Sequence, residues 1–417
     1  MSSTQDMVRP GRPEDIYYYD GETARKQAFP TTVNTKFVQG FQSLGTATSG
    51  TQAVYTFPPQ NGLQDVMVQF ELTLTGTTGN VLTTCGLPRG WGYALINRVS
   101  FRYGGSSQYF LTGQQILQLA LKRQRNNTAM DNLLTLGGSA LPAGSTANGT
   151  KVYANCVLTL PHSTPCGSGK ANPFPTDCLT QQCQITVETN SWNSIVGGTN
   201  NGQVVLSAAS FVAQQVMLNN QADALPRRVD MSVNAYAFPA EFVQQQQTIT
   251  LAATASAQEV VLTGFRSGEV KSLQIWLTKP ADVALNGKND PFYWYLPTRV
   301  QMTYAGDIYA RFENASSPLW YLINDEKTPA VQVAGIDANG AAIVYSPATP
   351  SQWVELPFSQ TLIDEDAHHT LVHGKPITNG IINLNLTTPD ASQYTLNVSY
   401  IYNTTLLISQ GTADFVF

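Results

Sequence analysis

Two stretches of the chain share one pattern at a separation of about 200 residues. The sequence NRVSFRYGG at Asn97–Gly105 is matched by TRVQMTYAG at Thr298–Gly306. In both, apolar and polar residues alternate up to a tyrosine, and a glycine-containing turn follows. Alternation with a period of two is typical of a half-buried strand, and glycine after it is typical of a turn. Each stretch therefore predicts a strand that ends in a tight turn.

The similarity continues on both sides of this pair. Upstream, the aromatic cluster WGYAL at Trp91–Leu95 corresponds to FYWYL at Phe292–Leu296, and downstream Tyr109 corresponds to Tyr309. A shared order of aromatic cluster, strand, turn and tyrosine favours an internal duplication. The alternative is that two unrelated hairpins use the same turn chemistry.

Helical signals are few. Thr112–Gln115 has the pattern of a capping box and precedes an apolar run, which predicts a helix of about three turns. Ser317 followed by Pro318 predicts a second, short helix that ends near Ile323.

Strand patterns occur along most of the chain. One polar face per strand predicts sheets that are covered on one side only, as in a β-sandwich. A further predicted strand, Val229–Phe238, precedes the boundary between two halves near Pro239 and Ala240. The alternating apolar sets are Val66–Leu74, Val152–Leu160, Val229–Ala235, Ile382–Leu386 and Tyr394–Tyr402.

Composition limits the function. The 417 residues include 12% charged residues and have a net charge of −5, whereas soluble domains average about 25% charged residues. A net negative charge argues against binding of nucleic acid through neutralisation of the nucleic acid's phosphates. A surface with so little charge favours a protein that buries much of it in an assembly.

The first thirty residues differ from the rest. Met1–Pro30 contains charges of both signs and no apolar run, so it predicts neither a signal peptide nor a basic RNA-binding arm. Its apolar residues concentrate in Ile16–Tyr19, too few to fold alone, so we expect this arm to order only against neighbouring subunits or a membrane surface. The longest uncharged stretch, Thr189–Ala222, is interrupted by Asn, Gln, Ser and Gly, and no membrane-spanning helix is expected.

Taken together, these features predict an all-β chain of two β-sandwich halves in tandem, with short helices in the connecting loops and an N-terminal arm at 1–30. This organisation resembles the double jelly-roll major capsid proteins of tailless icosahedral DNA viruses. The resemblance implies two tandem eight-stranded jelly rolls, a first at 31–240 and a second at 241–417. The resemblance covers roughly Thr31–Phe417 and depends on architecture and the repeat, because the family has no diagnostic motif.

The resemblance implies a structural role in a virion and no enzymatic activity. It implies a homotrimer whose six jelly rolls form a pseudo-hexagonal capsomer in an icosahedral shell, assembled inside the host cell. Its implied partners are neighbouring capsomers, minor capsid or vertex proteins and an internal membrane, with no sequence-specific nucleic acid binding. No catalytic, cofactor-binding or metal-binding residue is expected.

Two groups of residues were weighed as metal sites. His368, His369 and His373 follow an acidic run, but a strand would place them on opposite faces, so a solvated loop is the favoured interpretation. The set Cys156, Cys166, Cys178 and Cys183, with His162 between them, lacks the paired spacing of zinc knuckles. One disulfide within this set stays open as an alternative, and the odd total, with Cys85, predicts no disulfide framework.

Catalytic and glycosylation patterns are weak. No nucleophile elbow or phosphate-binding loop occurs, and Glu188, Glu259, Glu269 and Glu355 are interpreted as ordinary strand charges. Six Asn-x-Ser/Thr triplets, among them those at Asn385 and Asn397, are expected by chance in a chain this rich in Asn and Thr. The competing hypothesis is a secreted carbohydrate-binding or carbohydrate-active β-sandwich protein, which would call for a signal peptide and paired cysteines.

Overall fold

The fold was analysed in a computed structural model of the whole chain. It describes residues 33–47, 50–59, 62–76, 80–81, 87, 90–105, 108–122, 127–139, 141, 146–147, 149–163, 174–190, 202–218, 228–229, 233–244, 247–266, 268–279, 294–312, 335–336, 342–343, 353–358, 375–377 and 381–417. Three predicted features lie outside these residues. They are the N-terminal arm, the histidines His368, His369 and His373 that were weighed as a metal site, and the helix at Ser317–Ile323.

Strands make up most of the described chain. Its helices are α1 (Trp91–Leu95), α2 (Gly113–Lys122) and α3 (Asn127–Leu136), with short 3-10 turns at Pro161–Ser163 and Thr176–Cys178. The strands of the first half are β1 (Val33–Ala47), β2 (Gln52–Thr56), β3 (Gly62–Gly76), β4 (Asn80–Val81), β5 (Ile96–Arg102), β6 (Tyr109–Thr112), β7 (Thr146–Ala147), β8 (Lys151–Leu158), β9 (Gln184–Thr189) and β10 (Gly202–Leu218). Those of the second half are β11 (Tyr236–Val243), β12 (Gln247–Thr250), β13 (Gln258–Leu262), β14 (Gly268–Thr278), β15 (Arg299–Tyr304), β16 (Asp307–Phe312), β17 (Gly335–Ile336), β18 (Ala342–Ile343), β19 (Val354–Pro357), β20 (Lys375–Ile377), β21 (Ile382–Thr387), β22 (Thr395–Ser409) and β23 (Thr412–Val416).

The first half is a sandwich of two antiparallel four-stranded sheets. One sheet has the order β1-β10-β3-β8 and the other β2-β9-β5-β6. The chain passes repeatedly from one sheet to the other, as a jelly roll requires. The alternation predicted for Val66–Leu74 is confirmed, because its apolar members are all buried and the residues between them are partly exposed. Tyr55 of β2 stacks on Phe211 of β10 at 5.6 Å between ring centres, which joins the two sheets.

The second half repeats this topology strand for strand. Its larger sheet has the order β11-β22-β14-β19, with β12 and β23 also paired to β22 and β20 to β14, and its smaller sheet has the order β13-β21-β15-β16. Each position in these orders is filled by the strand that comes at the same point of the second half as its counterpart does in the first. The chain therefore contains two tandem jelly rolls, as the sequence predicts.

The repeat that points to this duplication is confirmed in its strand and turn. β5 and β15 each pair with two neighbours in equivalent places, and each ends in a left-handed turn, at Gly104 (φ 60°) in one half and at Ala305 (φ 52°) in the other.

The predicted match of the upstream aromatic clusters is wrong. Trp91–Leu95 form helix α1, whereas Tyr295 is extended and pairs with Leu277. Helix α1 packs so tightly that a Cβ atom on Gly92 would lie 2.5 Å from the Cβ atom of Ala154. At the corresponding position of the sequence the second copy has Tyr293 in place of this glycine.

Two other expectations need correction. The strand predicted at Val229–Phe238 begins only at Tyr236, and Val229 and Val233 are 57% and 75% exposed. Among the described residues, no strand lies beside Val229 or Val233, so the apolar alternation there does not form a strand. The prediction that each sheet is covered on one side only also does not hold throughout, because β14 and β22 are buried on both faces. The second face of these strands meets the first half of the chain.

Candidate assembly surfaces

Helix α2 connects the two jelly rolls through its glutamines. The Gln115 amide nitrogen donates to the carbonyl oxygen of Gln244 at 2.9 Å and to the hydroxyl of Ser399 at 2.8 Å. Beside it, the indole nitrogen of Trp276 donates to Oε1 of Gln114 at 3.1 Å. One face of the helix thus holds the outer face of β14 and β22. Its opposite face, with Ile116 and Leu117, contributes to the apolar core.

The sequence-predicted capping box fixes the orientation of Gln115. The Thr112 backbone nitrogen donates to Oε1 of Gln115 at 3.0 Å, and the Gln115 backbone nitrogen donates to the Thr112 hydroxyl at 3.3 Å. The carbonyl end of this side chain therefore caps its own helix, which leaves the amide nitrogen directed at the second jelly roll. A local helix signal and a long-range contact use the same side chain.

The contact between helix α2 and the outer face of β14 and β22 is called the seam below. The second jelly roll has a buried polar patch at this seam. The Ser272 hydroxyl donates to Oε1 of Glu355 at 2.6 Å, and the Gln274 amide nitrogen lies 3.5 Å from Oε2. Glu355 is only 4% exposed. Burial of a carboxylate is unfavourable unless hydrogen bonds replace its hydration. The interpretation of Glu355 as an ordinary strand charge is therefore wrong, and only the three-dimensional pairing of β19 with β14 reveals it.

A second contact between the halves is aromatic. Phe415 of β23 lies 5.8 Å from Tyr103, 6.0 Å from Tyr109 and 5.2 Å from Phe242, measured between ring centres. The Arg266 guanidinium lies over Phe242 at 4.9 Å and over Phe417 at 5.3 Å. Edge-to-face rings and a cation above them each add to the stabilisation from burial. The last strand, β23, thus packs against rings of the first jelly roll.

The histidine considered as a zinc ligand has a structural role. Nε2 of His162 lies 3.2 Å from the carbonyl oxygen of Gln64, which can only accept, so Nε2 carries the proton. Nδ1 then accepts from the Tyr103 hydroxyl at 2.7 Å. Both ring nitrogens are engaged within the core, and neither is directed at a cysteine.

The described cysteines belong to the buried core. Cys156, Cys178 and Cys183 are buried and form no disulfide with one another, while Cys85 and Cys166 lie outside the described residues. Burial raises the pKa of Cys183 to about 12 and holds the pKa of Cys156 well above its usual range. Metal ligation needs the thiolate, which these two sites disfavour. Within the described part of the chain, no three His, Cys, Asp or Glu side chains converge as a metal site would require.

The remaining candidate residues are structural where they are described. Trp294 packs on Trp276 and Trp353, and Tyr295 packs on Tyr394, so this part of the aromatic cluster forms core, as the sequence favours. Glu188 forms a two-pronged ion pair with Arg98, at 2.6 and 3.2 Å.

The sequon asparagines of β22 are inaccessible. Asn397 donates to Oγ1 of Thr278 at 3.1 Å, and Asn403 donates to Oε1 of Glu269 at 3.1 Å. Both side chains are buried in the folded chain, so neither can accept a glycan there. No helix among the described residues is both long and apolar enough to cross a membrane.

The fold defines the class of protein to which this chain is similar. It is a double jelly roll, and the solved structures that share it include PBCV-1 VP54, fitted into a reconstruction of the virophage Sputnik, with a TM-score of 0.60, 13% identity, and coverage of 93% of this chain and 97% of that one. The Faustovirus major capsid protein has a TM-score of 0.58 and 10% identity, with 92% of each chain covered. The mavirus major capsid protein has a TM-score of 0.52 and 10% identity, with coverage of 91% and 90%. No protein-family model and no curated protein sequence matches the chain.

Proposed function

We propose that this protein is the major capsid subunit of an icosahedral virus, a structural protein without catalytic activity. The observation that carries the proposal is the duplicated jelly-roll topology, held in one fixed relation by the seam at Gln115 and Ser399. The solved structures of the same architecture that name a function are capsid proteins. Three subunits, each with two similar jelly rolls side by side, can close into a six-sided tile.

The working unit in this proposal is a homotrimer in a virion shell. A closed ring buries the flanks of every subunit, which suits a chain with 12% charged residues. Neighbouring capsomers, minor capsid or vertex proteins and an internal membrane would contact the outside of the trimer and the N-terminal arm at 1–30. The net charge of −5 favours no direct role in binding the genome.

We also propose a revised junction between the halves. β10 ends at Leu218, and β11 begins at Tyr236 and pairs with β22 of the second sandwich. The second jelly roll would then begin by Tyr236, a few residues before the boundary at 240/241 that the sequence suggests.

The carbohydrate-binding alternative has less support. Its predicted hallmarks were paired cysteines and a signal peptide, whereas Cys156, Cys178 and Cys183 are buried in the core and form no disulfide with one another. The buried aromatic residues Trp276, Trp294 and Trp353 pack on one another, and a sugar would need an exposed ring.

Native mass spectrometry of the purified chain, followed by electron microscopy, tests the proposal. We expect a trimer of 45.3 kDa chains and, at high concentration, hexagonal tiles or closed shells. A chain that stays monomeric at all concentrations and forms no higher assembly would refute a capsid role. Binding to a glycan array by such a monomer would establish the alternative.

A further inference from the structure

The larger sheet of the second jelly roll carries a row of two glutamates and an asparagine. Glu241 of β11 lies directly opposite Asn403 of β22, and Asn403 lies directly opposite Glu269 of β14. Side chains opposite one another on neighbouring strands share a face of the sheet, with their Cβ atoms about 5 Å apart. The three side chains therefore lie side by side, with the asparagine in the middle.

A lysine reaches across this row. Nζ of Lys271, two residues after Glu269 on β14, pairs with Oε1 of Glu241 on β11. Strand β22 lies between β14 and β11, so the lysine side chain crosses β22 to make this contact. The register of β14 shifts between Val270 and Ser272, and such a bulge redirects the side chain at its position. Because Glu241 is the residue opposite Asn403, the lysine amine is brought beside the Asn403 amide.

The Asn403 amide is also held from the other side. Its nitrogen Nδ2 donates to Oε1 of Glu269 at 3.1 Å. One carboxylate thus binds the amide nitrogen of Asn403, and the other binds the amine of Lys271. This arrangement places an amine, an amide and two proton acceptors in one cluster.

The cluster is shielded from water. Lys271 and Asn403 are 7% and 9% exposed, whereas the paired lysines Lys151 and Lys279 have side chains that are 55% and 19% exposed. Burial of an ion pair gains little stability, because the loss of hydration offsets the attraction between the charges. Transfer of one proton from Lys271 to Glu241 removes both charges and leaves a neutral amine, which is a nucleophile.

We propose that Lys271 and Asn403 form an isopeptide bond between Nζ and Cγ in the folded chain. Glu241 accepts one proton from Nζ, and the neutral amine then attacks Cγ. The Nζ–Cγ bond forms, the second proton of Nζ passes to Nδ2, and the Cγ–Nδ2 bond breaks. Nδ2 leaves as ammonia, which takes the proton back from Glu241 and becomes ammonium. Glu269 orients the amide during the attack, and the reaction consumes no other reactant.

The bond would join two strands that are far apart in the sequence. Strands β14 and β22 are the central pair of the larger sheet, and both contact helix α2 of the first jelly roll. A covalent link between distant positions stabilises a fold by restricting the unfolded chain. The inference does not depend on the proposed capsid role, which is tested by assembly.

The intact mass of the purified full-length chain tests the proposal without any substitution. We expect a mass lower than that of the sequence by one ammonia molecule, and a single cross-linked species containing the Lys271 and Asn403 peptides after proteolysis. Lys271→Arg keeps the positive charge beside Glu241 but forms no isopeptide bond, so its mass should equal that of its sequence. The matched control is Asn397→Ala, which removes another buried asparagine from the same face of β22 and should still lose ammonia.

The role of Glu241 is tested by the rate of bond formation. In cell-free synthesis followed over time, Glu241→Gln should slow the loss of ammonia by about 100-fold or more, because glutamine cannot accept the lysine proton. A rate equal to that of the unmodified chain would overturn this role.

Two results would overturn the isopeptide bond itself. One is an unmodified chain that has the mass of its sequence and yields no cross-linked peptide. The other is a loss of ammonia that persists in Lys271→Arg, because it would then come from a reaction that does not involve this lysine. Neither result bears on whether the chain assembles, so the capsid proposal is judged separately.

Discussion

The Gln115 side chain donates a hydrogen bond to the Ser399 hydroxyl, 284 positions further along the chain, at 2.8 Å. The same side chain caps helix α2 through its other amide atom. The start of one helix and the packing of two jelly rolls are thus coupled at a single residue.

This coupling predicts how much stability is lost when the side chain of Gln115 or of Ser399 is removed. Gln115→Ala should lower the free energy of unfolding by about 2–3 kcal/mol, because it removes a cap and leaves buried partners unpaired. Ser399→Ala should cost about 1 kcal/mol. In the double variant the two effects should be non-additive by about 1 kcal/mol, measured by urea unfolding at one protein concentration.

The control for this cycle is Gln181→Ala. Gln181 is exposed, so its loss should change the free energy of unfolding by less than about 0.5 kcal/mol. Strict additivity of Gln115→Ala and Ser399→Ala would show that the seam bond contributes nothing to stability.

The aromatic contact at the end of the chain gives a second prediction. Phe415→Ala should lower the free energy of unfolding by about 2 kcal/mol, because Phe415 packs on rings from both halves. Its neighbour Val416 is 50% exposed, so Val416→Ala should cost less than about 0.5 kcal/mol in the same thermal or urea measurement. Similar losses for the two variants would argue that the chain end is held by its backbone pairing alone.

Acid should weaken the fold in part through Asp390. Hydrogen bonds from Ser392, assisted by Lys279 at 3.2 Å, lower the pKa of Asp390 from 3.8 to about 2. A carboxyl group with a lowered pKa stabilises the folded state above its unfolded pKa, and that contribution disappears as the pH falls from about 4 through 2. Asp390→Asn should therefore show a shallower loss of stability over this range in unfolding curves recorded at successive pH values. An unchanged slope in this variant would remove Asp390 from the acid response.

The buried thiols predict a labelling pattern. Because burial raises the pKa of Cys156 and Cys183, iodoacetamide at pH 8 should leave both unmodified in the folded protein and modify both in urea. Peptide mass spectrometry measures the two sites separately from the other cysteines. Rapid labelling of either thiol under native conditions would mean that the core around β8 or β9 opens readily.

The fold could be predicted because its signals are local. A strand with one buried face shows its alternation directly, as at Val66–Leu74, and a capping box such as Thr112–Gln115 shows the start of a helix. Helix α3 (Asn127–Leu136) was not among the predicted helices. The strand expected at Val229–Phe238 failed because alternation describes a face, and it does not ensure that another strand lies beside it.

Not all equivalent positions of the two larger sheets could be found by comparing the two halves of the sequence. The offset between counterparts is 205 positions for Gln69 and Gln274, 200 for Asn155 and Glu355, and 189 for Ser210 and Ser399, because the connecting loops differ in length. Around Arg98 and Arg299 the offset stays at 200 to 201 positions, because strand, turn and strand follow one another with a difference of one residue in the turn.

The amino-acid sequence by itself determined the all-β class, the tandem repeat and the capping of helix α2, because each is encoded in a pattern of a few neighbouring residues, which for the repeat occurs twice in the chain. The tertiary structure alone decided that β14 and β22 are buried on both faces, that Glu355 is a buried carboxylate, and that Gln115 reaches Ser399. Those properties depend on which surfaces of the two sandwiches meet. Residues hundreds of positions apart leave no periodic trace of that contact in the sequence.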